Sequence, residues 1–170
     1  MNQPIRNVLQ NNIDLLRQIF DKSSEGFQVI DNEWRYIYVN EAVAKHGKST
    51  VEELMGHTMM EKYPGIENTP LFIEMQHCIN EKIGIRMENE FIFPNGQRGW
   101  FQLFIHPWSG GVMIFSIDIT QRKLSEQHII KMIEDFKHAA SYEGDRKNMD
   151  EIKAAVENLS KPSVTIVKYS

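Results

Sequence analysis

The chain has a single cysteine, no long apolar run and no dense block of basic residues. Because Cys78 has no second cysteine with which to form an internal disulfide, the sequence predicts a cytoplasmic location. No apolar segment reaches the roughly 20 residues that a helix needs to cross a bilayer, and residues 1–7 lack the apolar centre of a secretory signal. A net charge of −4 over 170 residues disfavours nucleic acid as a partner.

Sequence signatures of catalysis and of metal binding are also missing. There is no phosphate-cradling glycine loop and no nucleophile elbow. No close pair of His, Cys or carboxylate residues has zinc-ligand spacing. His128 and His138 fall in a charged helical segment, but neither is followed by the Glu-Leu-Arg-type run of a kinase dimerisation helix. We therefore predict a chain without catalytic activity and without a metal site.

What the sequence does contain is an ordered series of helix and strand patterns. Apolar residues recur every three or four positions across residues 4–21, which predicts an amphipathic helix with the stripe Ile5, Leu9, Ile13, Leu16 and Phe20. Two strands, several short helices, one longer helix and three further strands follow, at residues 27–30, 36–39, 41–53, 69–82, 86–93, 100–107 and 112–119. This order predicts an α+β fold in which helices cover one five-stranded antiparallel sheet.

The last third of the chain is predicted to lie outside that sheet. Residues 121–141 read as a second amphipathic helix, with a seven-residue apolar repeat too short to establish a coiled coil. A further helix is predicted at 148–159 and a strand at 162–169, for which no sheet partner can be identified. The chain thus divides into an N-terminal helix, a central domain, an output helix and a tail of unassigned role: 1–22, 23–120, 121–141 and 142–170.

Local motifs in the central domain point to one family. They are Tyr38-Val-Asn-Glu-Ala42, Phe93-Pro-Asn-Gly-Gln-Arg-Gly-Trp-Phe101, His106-Pro107 and Ser116-Ile-Asp-Ile-Thr120. Across residues 23–120 the chain resembles the PAS sensory domains of bacterial signalling proteins. The resemblance implies a PAS fold and a dimeric sensor module, of the kind found upstream of histidine kinases of two-component systems, diguanylate cyclases or transcription regulators. It does not name a ligand, because PAS domains host many ligands or none.

The segment Asp118-Ile119-Thr120 joins the last strand to the output helix without a loop. Thr120 is predicted to cap that helix, its hydroxyl accepting a hydrogen bond from an amide in the first turn. The resemblance implies that Asp118 ties the sheet end to the helix start, with Arg122 or Arg98 as a possible ion-pair partner. These three residues are therefore the candidates for passing a shift of the sheet to the helix.

Alternation along the strands separates two faces of the predicted sheet. On a PAS template one face turns towards the helical cover and supplies the pocket candidates Met87, Asn89, Phe91, Phe93, Phe101, Leu103, Ile105, Ile114 and Ser116. This lining predicts a pocket for a small, largely apolar ligand, although a filled core shows the same pattern more often. The opposite face is also apolar and needs a cover, which we expect from the stripe of residues 5–20, in the same chain or in the partner of a homodimer.

Two cofactors of PAS domains are disfavoured by the sequence. Flavin-binding relatives need a reactive cysteine on a short helix, whereas Cys78 falls in the longer helix, and the strand positions expected to hold flavin-binding amides carry Phe91, Phe101 and Asp118. Haem-binding relatives often use a histidine of the longer helix, but His77 lies late in it and His57 precedes it. Three functions remain open: a ligand-binding sensor module, a haem- or redox-sensing PAS domain, and a ligand-free module that assembles proteins.

Overall fold

The computed structural model describes residues 3–93, 95–139, 143–161 and 164–167. The helices are α1 (Gln3–Asp21), α2 (Glu41–His46), α3 (Val51–Leu54), α4 (Met59–Lys62), a 3-10 turn (Ile66–Asn68), α5 (Pro70–Glu81), α6 (Thr120–Ala139) and α7 (Glu143–Ser160). The strands are β1 (Gly26–Asp31), β2 (Tyr36–Val39), β3 (Gly84–Ile92), β4 (Arg98–Trp108), β5 (Gly111–Asp118) and β6 (Val164–Val167).

The strands form one sheet in the order β2-β1-β5-β4-β3-β6, and each neighbouring pair is antiparallel. The predicted α+β fold, with five antiparallel strands and flanking helices, is confirmed for β1 to β5. The sequence identified no sheet partner for the tail strand, and the structure supplies one. β6 pairs with β3, with Met87 opposite Val164 and Gly84 opposite Val167. It occupies the outer edge of β3, which would otherwise present unpaired backbone groups.

Short polar motifs start the helices of the cover. Thr50 with Glu53, and Thr58 with Glu61, form capping boxes at the starts of α3 and α4. The longer helix α5 starts at Thr69, whose hydroxyl oxygen accepts from an amide of the first turn, and has proline at its first position. These caps fix the turns between short helices, so the cover follows the sheet closely.

Asn40 is a fully buried polar residue that joins three elements. Its side-chain oxygen accepts hydrogen bonds from the amides of Val43, at 3.1 Å, and Phe27, at 2.9 Å. Asn40 therefore caps α2 and also links that helix to β1. Its side-chain nitrogen donates to the carbonyl oxygens of Phe20 and Glu25. With all these partners satisfied, burying the amide carries little penalty, and the end of α1 is held against β1.

The core lies between the inner face of the sheet and the cover. Ile105 and Ile114 of the sheet meet Met75 and Cys78 of α5 within one apolar cluster, and none of the four is exposed. The pKa of the Cys78 thiol is raised to about 11 by this burial. Cys78 is therefore a small core residue.

Among the described side chains, the ring contacts of α1 with the outer face of the sheet lie at its C-terminal end. The ring of Phe20 stacks on Phe27 with 4.3 Å between centroids and lies 6.0 Å from Phe115. Further up the stripe, Ile13 and Leu16 are each more than half exposed. The side chains of Ile5 and Leu9 lie outside the described residues. The predicted stripe thus reaches the sheet at Phe20 and leaves its middle open.

The output helix α6 and α7 form an antiparallel hairpin. Ion pairs join Lys137 to Asp150 and Lys153 to Glu134 across it, and Ile133 is buried in it. Helix α7 begins at Glu143, earlier than the sequence predicted. The prediction missed the first turn because that turn is polar and carries no apolar stripe. No helix of the described residues is long and apolar enough to span a bilayer.

Candidate functional site

A cavity of about 90 Å³ lies between the inner face of the sheet and the helical cover. Its lining is Gln28, Tyr36, Val43, His46, Gly47, Met59, Tyr63, Ile66, Leu71, Asn89, Phe91, Phe101, Leu103 and Ser116. None of these lining residues is Asp, Glu, Lys or Arg. The walls are mostly apolar, with a few hydroxyl, amide and imidazole groups among them, which is the usual make-up of a small-molecule site.

The predicted pocket residues divide between this cavity and the core. Asn89, Phe91, Phe101, Leu103 and Ser116 line the cavity. Met87, Phe93, Ile105 and Ile114 are buried but do not line it. Strand alternation predicted which face of the sheet each residue is on, but not whether it lies beside the cavity or in the filled core. Helix α5, which packs on the sheet, fills the remainder of that face.

Part of the cavity wall was not predicted from the sequence. It comes from β2 and from the helical cover, and it includes Tyr36, His46 and Tyr63. Strand alternation could have placed Tyr36 on the inner face, since it opens β2. His46 ends the short helix α2 and Tyr63 follows the short helix α4. Helices of one or two turns have no apolar periodicity that predicts where a side chain points.

His46 contacts both the sheet and the cavity. Its Nδ1 lies 3.3 Å from the hydroxyl oxygen of Ser116, and its ring centroid is 5.0 Å from that of Phe101. Burial lowers the pKa of His46, against an opposing effect of Asp118. A Cβ at Gly26 would overlap the Ser116 hydroxyl, so glycine permits this contact. An uncharged imidazole therefore stands beside the cavity at neutral pH.

The histidines considered for haem lie elsewhere. His77 is on α5 beside Glu74, and His57 precedes α4 beside Glu61, each at 3.6 Å from the carboxylate. Neither lines the cavity, whereas His46 does. No cluster of three possible metal ligands occurs in the described part of the chain.

The joint between β5 and α6 is built differently from the predicted cap. Asp118 accepts a hydrogen bond from the Thr120 amide at 2.8 Å, while the Thr120 hydroxyl oxygen accepts from the Trp100 amide of β4 at 3.0 Å. The Ile119 amide donates to the Trp100 carbonyl oxygen. The cap prediction was wrong because Thr120 is already the first helical residue and its side chain turns back to β4. Asp118 supplies the acceptor instead.

A second attachment of α6 comes from β3. Glu88 accepts from Arg122 at 2.6 Å and lies 2.7 Å from the ammonium group of Lys123. The side chains of Glu88 and Lys123 are 9% and 7% exposed. Arg122 therefore pairs with Glu88 and not with Asp118. The other predicted partner, Arg98, pairs with Glu90 at 2.9 Å. Burial disfavours ionisation of Glu88, but the bonds from Lys123 and Arg122 outweigh it and hold the pKa of Glu88 below its ordinary value.

This arrangement of a cavity under an antiparallel sheet, with a helix leaving the last strand, matches a known family. A family profile described as PAS fold matches residues 20–124. The chain belongs to the PAS family. PAS domains are sensor modules of signalling proteins, so the sensory role implied by the sequence resemblance is supported at that level. No curated protein matches the sequence.

Solved structures of the same fold differ widely in sequence. A PAS domain from Colwellia psychrerythraea has a TM-score of 0.55 at 16% identity, over 64% of this chain and 98% of its own. VqmA bound to DPO scores 0.53 at 18% identity, over 64% of this chain and 59% of its own. A LOV protein from Rhodobacter sphaeroides scores 0.54 at 14% identity, over 88% of this chain and 96% of its own. At such identities the likeness concerns the fold alone.

Proposed function

We propose that this PAS domain is a cytoplasmic sensor that binds a small, uncharged, largely apolar ligand in the 90 Å³ cavity. The observation that carries the proposal is a charge-free cavity into which several polar side chains open. An ionised ligand would lose its hydration there without gaining an opposite charge. VqmA, a protein of the same fold, was solved with a bound ligand, DPO, which is compatible with this use of the fold.

The size of the cavity limits the ligand. An engineered cavity of about 150 Å³ accommodates benzene, so 90 Å³ suits a molecule of no more than one small ring. A larger ligand would have to displace the cover. That cover consists here of the short helices α2 to α4 and a 3-10 turn, which have fewer contacts to lose than the sheet.

Transmission to α6 is proposed to run through the sheet by two attachments. Ser116 lines the cavity two residues before Asp118, and Asn89 lines it next to Glu88. Asp118 with Thr120 holds the start of α6, and Glu88 holds its first turn. A ligand shifts this system only if it binds one arrangement of the sheet more tightly than the other.

Homodimerisation is proposed to use α1. Ile13, Leu15, Leu16 and Ile19 are each more than half exposed along one helix, which is costly for an isolated molecule. Seating these residues on the outer sheet face of a second copy would bury both apolar surfaces. A downstream signalling domain or protein would then respond to the geometry of the paired output helices.

Two other functions are separated from this one by direct measurement. A haem- or redox-sensing PAS domain would show cofactor absorbance when purified, and a ligand-free assembly module would show no bound small molecule. Native mass spectrometry of the full chain, purified gently from its expression host, tests the proposal. A bound neutral small molecule supports it, and a bare dimer without uptake of any added small-molecule probe contradicts it.

A further inference from the structure

Two tyrosine hydroxyls at the cavity are left without partners. Tyr36 is 2% exposed and Tyr63 is half-buried, and both side chains line the cavity. Within the described part of the chain, neither hydroxyl has a hydrogen-bond partner. Both residues line the cavity, so a molecule bound there can supply the hydrogen-bond partners that the described part of the chain does not.

The two phenols lie near each other. Burial raises the pKa of Tyr36, and the neighbouring phenol of Tyr63 raises it further. Burial also raises the pKa of Tyr63, with a smaller contribution from Glu53. Both groups therefore remain protonated at any physiological pH. A phenol can both donate and accept, and a single acceptor atom placed between the two hydroxyls would receive a hydrogen bond from each.

The surroundings hold the Tyr63 hydroxyl in position. A Cβ at Gly47 would overlap that hydroxyl oxygen, so glycine at the end of α2 makes room for it. The Tyr63 ring also meets Phe91 edge to face, with 5.4 Å between centroids. Contacts at Gly47 and Phe91 thus position the Tyr63 phenol, so its hydroxyl donor has a defined place in the cavity wall.

The acceptor must be uncharged. The residues that line the cavity include no cation, and burial keeps His46 neutral at physiological pH. A carboxylate placed against the two phenols would lack a counter-charge in a low-dielectric site. A carbonyl oxygen or an unprotonated ring nitrogen meets the requirement.

We propose that Tyr36 and Tyr63 form a two-donor subsite that binds a neutral acceptor, a carbonyl oxygen or a ring nitrogen, on the ligand of this cavity. The subsite rests on the proposed ligand-binding function and specifies its chemistry. It makes the ligand a small, mostly apolar molecule with one such acceptor. The apolar part packs on the cavity residues Phe101 and Leu103.

Two small probes of nearly equal shape test the subsite. Cyclopentanone has a carbonyl oxygen where methylenecyclopentane has a CH₂ group, so only the ketone accepts hydrogen bonds. Binding of each probe to the full chain is measured by titration in ¹H–¹⁵N spectra. The variants are Tyr36→Phe and Tyr63→Phe, with Tyr38→Phe as the matched control, because the Tyr38 hydroxyl bonds to Asp21 outside the cavity.

Each cavity variant should weaken cyclopentanone binding about fivefold to tenfold, as loss of one neutral hydrogen bond does. Methylenecyclopentane binding should be unchanged, and Tyr38→Phe should bind both probes like the parent chain. Tyr36→Phe should fold at least as well as the parent, because it removes an unpaired buried donor. Ketone binding that is insensitive to both cavity variants would overturn the subsite.

The infrared carbonyl stretch of bound cyclopentanone gives a reading that does not depend on any variant. It should fall below its value in an apolar solvent, since two hydroxyls donate to the oxygen, and an unshifted band would contradict the subsite. Uptake of both probes with no role for the tyrosines would remove the subsite and leave the cavity as a ligand site. Uptake of neither probe at millimolar concentration would remove both.

Discussion

Glu88 and Lys123 form an ion pair, 2.7 Å long, that is buried where α6 leaves the sheet. Glu88 is next to Asn89, and neighbouring strand residues face opposite sides. Asn89 therefore lines the cavity, while Glu88 holds the helix on the other face. One strand thus contacts both the proposed ligand and the proposed output, through adjacent residues.

Glu88→Gln should destabilise the chain clearly more than Glu90→Gln. Removing one partner of a buried pair costs roughly 3–5 kcal/mol, and Glu126, with an oxygen 3.8 Å from Lys123, should reduce that loss. Glu90 pairs with Arg98 at an exposed site, where an ion pair contributes about 1 kcal/mol or less. Urea denaturation of the two variants measures the difference. Equal losses of stability would show that the Glu88–Lys123 pair stabilises the chain no more than the exposed Glu90–Arg98 pair.

Acid should weaken the same attachment. The pKa of Glu88 is held below 4.5, so its stabilising effect is complete above that value and is lost as pH falls through the lowered pKa. Between pH 5 and pH 3 the parent chain should therefore lose more thermal stability than Glu88→Gln, which has no carboxylate to protonate at this position. Parallel curves for the two chains would contradict the assignment.

Thr120→Ala should loosen the start of α6 without unfolding the domain. It removes the acceptor for the Trp100 amide, at a cost of about 1 kcal/mol. Thr120→Ser keeps the hydroxyl and is the control. Amide hydrogen exchange should quicken in the first turns of α6 and at Trp100 in the alanine variant only. In a chimera with a known output domain after residue 140, regulation should weaken in the same variant.

Phe101→Ala should enlarge the cavity at a cost of about 3–5 kcal/mol if its surroundings are well packed. Phe101 is 8% exposed and lies against His46. The comparison is Phe104→Ala on the outer face, where the side chain is half-buried. The thermal midpoint should fall more for Phe101→Ala. A larger fall for Phe104→Ala would mean that the outer face carries more of the packing.

Leu16→Asp should weaken dimerisation and improve the solubility of the monomer. Leu16 is 54% exposed on α1, and a carboxylate there would be buried without a partner in the proposed interface. Gln18→Asp adds the same charge on another face of the helix and should leave the dimer intact. Sedimentation equilibrium reports both outcomes. A dimer unaffected by Leu16→Asp would move the interface away from α1.

The strand patterns were sufficient for β1 to β5 but not for the pairing of β6 or for the whole site. Alternation separated the two faces of each strand, because successive strand residues face opposite sides, and the PAS template assigned Asn89, Phe101 and Ser116 to the inner face. The caps at Thr50 and Thr69 are likewise local features, because their partners are three residues away. Elements governed by neighbours in the chain were therefore predictable.

Contacts between distant segments were decided by the tertiary structure alone. The sequence showed a strand at the C-terminus but not its pairing with β3, and a threonine at the helix start but not its bond to Trp100. Tyr36 and Tyr63 line one cavity from two different elements, and Glu88 pairs with Lys123 of α6. Such contacts depend on the three-dimensional path of the chain, because side-chain periodicity encodes only the direction in which a residue faces and not what it meets there.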